Sequence, residues 1–153
     1  MAEDDRFEAN SFPFIVFGTI LLFVSWLFFN GGSTFTMFGP RANSSPKIMM
    51  VTIIAGMTGG LVATFLKPFV MRTYSKRNRY DVGALSNGIL AGLVAITGVC
   101  DRCEAWSACI IGFMGGVIYV LACKLMDKLG VDDPIEAAQV HGFNGAWGLI
   151  AVG

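Results

Sequence analysis

The charges of this chain are confined to short stretches, and the stretches between them are long. No Asp, Glu, Lys or Arg stands between Glu8 and Arg41, and charge-free runs also cover 48–66, 82–100, 105–123 and 137–153. A membrane-crossing helix needs about 20 predominantly apolar residues to span the hydrocarbon core. All five runs are at or near that length. Composition carries the same message: 54% of the residues are hydrophobic, only 14% are charged, and mean hydropathy is +0.63. A soluble fold of this size would lack the polar residues to cover its outside. The runs therefore predict an all-α integral membrane protein with five transmembrane helices. The balance of 11 basic against 11 acidic residues excludes a nucleic-acid binder driven by net charge, and four cysteines do not make a disulfide-dense secreted domain.

Local signals mark the helix ends. Asn10-Ser11-Phe12-Pro13 and Ser44-Ser45-Pro46 each place capping residues before a proline whose missing N–H does no harm in a first turn. Asp81 precedes the third span. Asp132-Asp133-Pro134 precedes the fifth, with Glu136 expected in a first turn where the helix dipole favours an acid. The predicted helices cover about 13–30, 47–70, 82–99, 105–127 and 134–153. Arg72, Lys76, Arg77 and Arg79 follow the second helix, and Lys124 and Lys128 end the fourth. The other side holds Arg41, Lys47, and Arg102 diluted by Asp101 and Glu104. The positive-inside rule then makes 72–81 and 124–133 cytoplasmic, 31–46 and 100–104 external, and the N-terminus of this chain cytoplasmic. The acidic start (Glu3, Asp4, Asp5, Glu8) argues against a signal peptide, which would begin basic.

Gly56 and Gly60, Gly88 and Gly92, and Gly112 and Gly116 each lie one helical turn apart, with Gly142, Gly145 and Gly148 extending the pattern on the last span. Small residues let membrane helices approach closely, so these read as packing surfaces. The only histidine, His141, stands inside the fifth span. An ionisable side chain there is costly and reads as functional by default; the competing reading is an imidazole satisfied by a neighbouring hydroxyl or carbonyl. A neutral imidazole both donates and accepts a hydrogen bond, which suits a polar guest in a narrow apolar pore. No second histidine or carboxylate lies one turn away, so no metal is expected. Trp26 and Phe29 share a helical face, which fits either an interfacial aromatic belt or a cation cradle with Ser33 further out. Asn87 is expected to bond neighbouring backbone. Cys100 and Cys103 form a C-x-x-C that fits a disulfide or metal site, but with no second pair to complete a zinc site they read first as unlinked cysteines; Cys109 and Cys123 read as small packing residues. The basic run 72–79 reads as a topology anchor, with anionic lipid as a further contact. The chain has no nucleotide-binding loop, catalytic triad or paired carboxylates, so neither enzyme activity nor a cofactor is expected.

The residues also carry a family resemblance. The run from Asp132 through Pro134-Ile135-Glu136-Ala137-Ala138-Gln139-Val140-His141-Gly142 to Gly148 resembles the tenth transmembrane helix of ammonium transporters (the Amt/Mep/Rh family), in its plant and algal form. Phe17-Gly18-Thr19 with Ser25-Trp26-Leu27-Phe28-Phe29-Asn30-Gly31-Gly32-Ser33 is similar to the sixth helix. Asn87 to Thr97 resembles the eighth, and Trp106 to Gly116 the ninth. The orientation read from charge agrees with helices six to ten of that family.

The resemblance implies an ammonium channel, a homotrimer in which each eleven-helix subunit has its own hydrophobic pore. His141 matches one of two mid-pore histidines, and Phe29 one of the phenylalanines that gate the external mouth. Ser33 matches a hydroxyl that holds ammonium outside, and Trp26 an aromatic residue of the same helix. Asp133 matches a structural acid at the cytoplasmic end of the tenth helix. Ammonium would be recruited outside and deprotonated, and ammonia would pass the histidines in a plasma-membrane protein. Only five helices and one of the histidines are matched. The expectation is therefore a fragment or split half that needs the remaining transporter helices, from the same gene or a partner chain. The alternative is a non-conducting structural subunit derived from a transporter half.

Overall fold

The computed structural model describes residues 11–35, 38–39, 44–71 and 81–153. Asn10, Arg41, the acidic start and the basic residues Arg72, Lys76, Arg77 and Arg79, on which much of the charge-based topology rests, lie outside the described residues.

Four long or medium helices precede a broken one: α1 (Phe12–Gly32), α2 (Ser44–Val70), α3 (Val82–Thr97), α4 (Ala105–Leu129), and a π-helical turn (Ala138–Phe143) that runs into α5 (Asn144–Ile150). No strand occurs among the described residues. By length and composition α1, α2 and α4 can each cross a membrane, and α3 is a shorter apolar helix. Ser11 stands at the N-cap of α1 with an extended backbone, yet its side chain makes no capping bond, so Pro13 in the first turn carries that start. Asp81 does cap α3, its carboxylate accepting from the Gly83 N–H at 2.8 Å. Gly130 ends α4 in the left-handed region, with φ of 67°, where a side chain would be strained.

Helix directions follow from the pairs that join them. Lys47 near the start of α2 meets Glu104 at the start of α4, 2.6 Å apart, and Lys67 further along α2 meets Tyr119 further along α4 at 2.9 Å. These two helices are parallel. Lys67 near the end of α2 also reaches Asp81 at the start of α3, which runs antiparallel to α2 and packs against both helices.

Glycines set the spacing of this inner triad. A Cβ at Gly59 would stand 2.6 Å from the Gly88 carbonyl oxygen, and one at Gly116 would stand 2.7 Å from the Gly59 carbonyl oxygen. Gly92 and Gly112 both press against the Ala55 backbone. Such contacts replace the hydrophobic drive that lipid removes. Gly148 joins them, a Cβ there lying 2.8 Å from the Ala95 carbonyl oxygen, but Gly142 and Gly145 have nothing within 4 Å and do not share the packing role expected of them.

Outside the triad, α1 buries only Thr19, Asn30 and Gly31, and its Phe14, Phe17, Ile20 and Leu21 point outward. An apolar exterior over a small-residue and polar interior is what a hydrocarbon solvent favours.

The largest departure from expectation is the start of the fifth segment. The chain turns at Pro134 and Ile135, and Glu136 takes φ of 57°, so it lies before the helix rather than in its first turn. A non-glycine residue there costs on the order of 1–3 kcal/mol. Glu136 is held by four other side chains, as described below, and these bonds offset that cost. The Asp133 carboxylate instead caps the later start, accepting from the Ala138 N–H at 2.8 Å.

Candidate functional site

Two segments distant in sequence bring aromatic rings together on one face. The His141 imidazole lies nearly parallel to the Trp26 indole, at 15° with ring centroids 6.5 Å apart. Phe29, one turn along α1, meets Trp26 edge to face at 6.3 Å. Trp26 is fixed from behind: its indole N–H donates to the Thr97 hydroxyl at 2.8 Å, and that hydroxyl donates to the Leu93 carbonyl at 2.7 Å. Phe29 is 62% exposed and His141 is also exposed, so these rings line an open surface. Among the described residues no hydrogen bond holds the imidazole. Its direction is set by its own backbone and by the Trp26 ring.

Ser33 stands apart from this group. Helix α1 ends at Gly32, Ser33 is its C-cap, and its exposed hydroxyl donates to the Phe29 carbonyl at 2.6 Å. It lines a polar cavity of about 550 Å³ with Asn30, Thr34, Ser44, Ile48, Thr97, Cys100 and Asp101. Thr97 belongs to both places, lining the cavity and anchoring Trp26. Asn30 is buried and donates to the Thr52 hydroxyl at 3.1 Å. The cavity thus offers hydroxyls and one carboxylate, a set suited to a small cation.

At the opposite end lies a cluster that sequence reasoning did not assemble. The Glu136 carboxylate receives Lys67 at 2.7 Å, Asn87 at 2.8 Å, the Tyr119 hydroxyl and, at 3.5 Å, the Cys123 thiol. Lys67 also donates to the Tyr119 oxygen, lies over its ring, and has Asp81 3.8 Å away. Asn87 was expected to bond backbone, but its close partner is this carboxylate, with the Ile135 carbonyl a distant second at 3.4 Å. The available signals were slight. Lys67 closes a charge-free run, and Glu136 has an ordinary helix-dipole explanation.

Cys100 and Cys103 are buried, free thiols. Burial pushes the Cys100 thiol up to about 11, helped by the neighbouring Asp101 charge, and burial also raises Cys103. Among the described residues no group of three His, Cys, Asp or Glu could hold a metal ion.

The bundle, its apolar exterior and its inward polar groups define an all-helical membrane protein. The sequence model of the Ammonium Transporter Family matches residues 1–153, and the chain belongs to that family. It is 38% identical to ammonium transporter Amt2 of Archaeoglobus fulgidus over 144 residues, covering 94% of this chain and 29% of the relative. It is 37% identical to ammonium transporter 1 member 1 of Arabidopsis thaliana over 152 residues, with the same two coverages. Its fold matches the crystal structure of Saccharomyces cerevisiae Mep2 with a TM-score of 0.79 at 32% identity, over 94% of this chain and 31% of that one. The chain therefore spans less than a third of the length of these three relatives.

Proposed function

We propose that this chain supplies one wall of a pathway for ammonium and ammonia, lined by Trp26, Phe29 and His141. The observation that carries the reading is the stack of His141 on Trp26 on an exposed face, with Phe29 against the same indole. Aromatic faces attract a cation, while an apolar passage penalises a bare ion far more than neutral ammonia. The imidazole can hand a hydrogen bond to a guest and take one back. Ser33 and the polar cavity recruit ammonium at the Asp101 end, which the basic residues of the sequence make external. Asn87 and Asp133 serve structurally at the cytoplasmic end. Family membership supports this substrate class, as do relatives that are themselves ammonium transporters.

The opposing wall belongs to the remaining helices of a longer transporter, from the same gene or a partner chain, and the complete assembly is a plasma-membrane homotrimer. The deciding experiment joins these residues to the helices that a relative possesses beyond the match and measures methylammonium uptake. His141→Ala should alter uptake or its proton coupling while the protein still inserts and assembles. Unchanged uptake with unchanged coupling would reduce His141 to a packing residue.

A further inference from the structure

The Lys67, Tyr119, Asn87 and Glu136 side chains come from α2, α4, α3 and the segment before the π turn, and they meet at one carboxylate. We propose that this cluster is the positioning device for His141: by anchoring Glu136 it fixes where the π turn begins, and so which way the imidazole faces. Glu136 is a positioning residue in this scheme. It acts through the backbone and touches no transported species.

The geometry runs in sequence from the anchor to the ring. Three helices hold the Glu136 carboxylate, so residue 136 is fixed relative to the inner triad and keeps φ of 57°. Its carbonyl accepts the Val140 N–H at 3.0 Å, the bond that joins the anchor to the turn carrying His141. Asp133 accepts from Ala138 on one side of that turn, and the wholly buried Asn144 donates to the Gln139 carbonyl at 3.0 Å on the other. A π turn spaces its residues differently from an α-helix, so moving its start re-aims every side chain within it. No hydrogen bond holds the His141 ring among the described residues, so its direction follows the turn that carries it.

The network is also complete. Lys67 donates to Glu136 and to the Tyr119 oxygen, whose proton goes to the other carboxylate oxygen, where Asn87 also donates. Glu136 is half-buried, and removing one donor from its carboxylate leaves it under-satisfied, so that the segment it holds is free to shift.

The functional weight of this inference rests on the pathway reading above, but its test does not. The chain has a single histidine, so selective isotope labelling of the full chain in lipid nanodiscs gives one imidazole signal. Stacking on Trp26 should displace that signal by ring current, and Trp26→Ala should abolish the displacement; a wild-type signal indifferent to Trp26→Ala overturns the proposal. Glu136→Gln should lose most of the Trp26-dependent shift with helix content preserved. Tyr119→Phe, which keeps both charges, should lose part of it in the same direction. Lys67→Arg, which keeps the cation, should retain it. Should Glu136→Gln fail to fold, Tyr119→Phe decides. Wild-type His141 shifts in the folded cluster variants sink the proposal, whatever uptake assays report on conduction.

Discussion

Trp26 is placed by one hydrogen bond, and that bond can be removed with little change of shape. Thr97→Val deletes the hydroxyl that accepts the indole N–H and leaves a partly buried donor unpaired. The cost of such an orphan is about 1–3 kcal/mol, so the folded chain should melt at a lower temperature while retaining its helix content. A second residue-scale expectation concerns Cys100 and Cys103. Only thiolates react readily with maleimides, and burial holds Cys100 near 11 and raises Cys103. Because the folded values are raised, the reactive form is scarce at neutral pH and grows as pH climbs toward the Cys100 value. Both should resist alkylation near pH 7 in the folded chain, react faster at higher pH, and become accessible at once on denaturation. Rapid neutral-pH labelling of Cys100 would show that the 98–104 turn opens. Of the residues singled out from sequence, Trp26, Phe29 and His141 converge in space, because helical period already placed the first two on one face. Ser33 does not join them, because α1 stops at Gly32 and turns its hydroxyl back onto Phe29.

Among the elements, α2 is the one that others are built around, and its small residues make this measurable. Gly59→Ala would push a methyl group into the Gly88 carbonyl, a backbone contact that cannot rotate away. The expected loss is about 1–3 kcal/mol from overpacking, seen as lower thermal stability or loss of the folded form. Gly142→Ala, with open space around it, should leave the stability of this chain unchanged. Equal effects at the two positions would contradict the packing described. Element existence was legible because membrane spans announce themselves by length and absence of charge, and the α2, α3 and α4 contacts by glycine spacing. The start of the fifth segment was not. Asp-Asp-Pro is a sound local helix signal, but tertiary bonds from three other helices pull Glu136 into a left-handed conformation that no local pattern encodes. Asn87 and Lys67 were opaque for the same reason: their partner lies about fifty or more residues away in sequence.

For the molecule as a whole, the exposed wall formed by Trp26, Phe29 and His141 decides what the chain can do by itself. In the proposed reading, tags in the 73–80 loop should be shielded in intact cells and tags beside Asp101 should be reachable; external labelling at residue 77 would reverse the orientation. Conduction asks for more than orientation. A selective passage must exclude lipid and water from both sides, and here the stacked rings open onto an uncovered surface. Expressed alone, these 153 residues should insert in a bilayer yet confer no saturable ammonium uptake on transport-deficient cells. Supplying the remaining helices as a separate chain should restore part of that uptake, since independently inserted helices associate through packing. The restored activity should be sensitive to His141→Ala. Saturable uptake by the chain alone, abolished by His141→Ala, would instead require copies of this chain to close the pathway around one another.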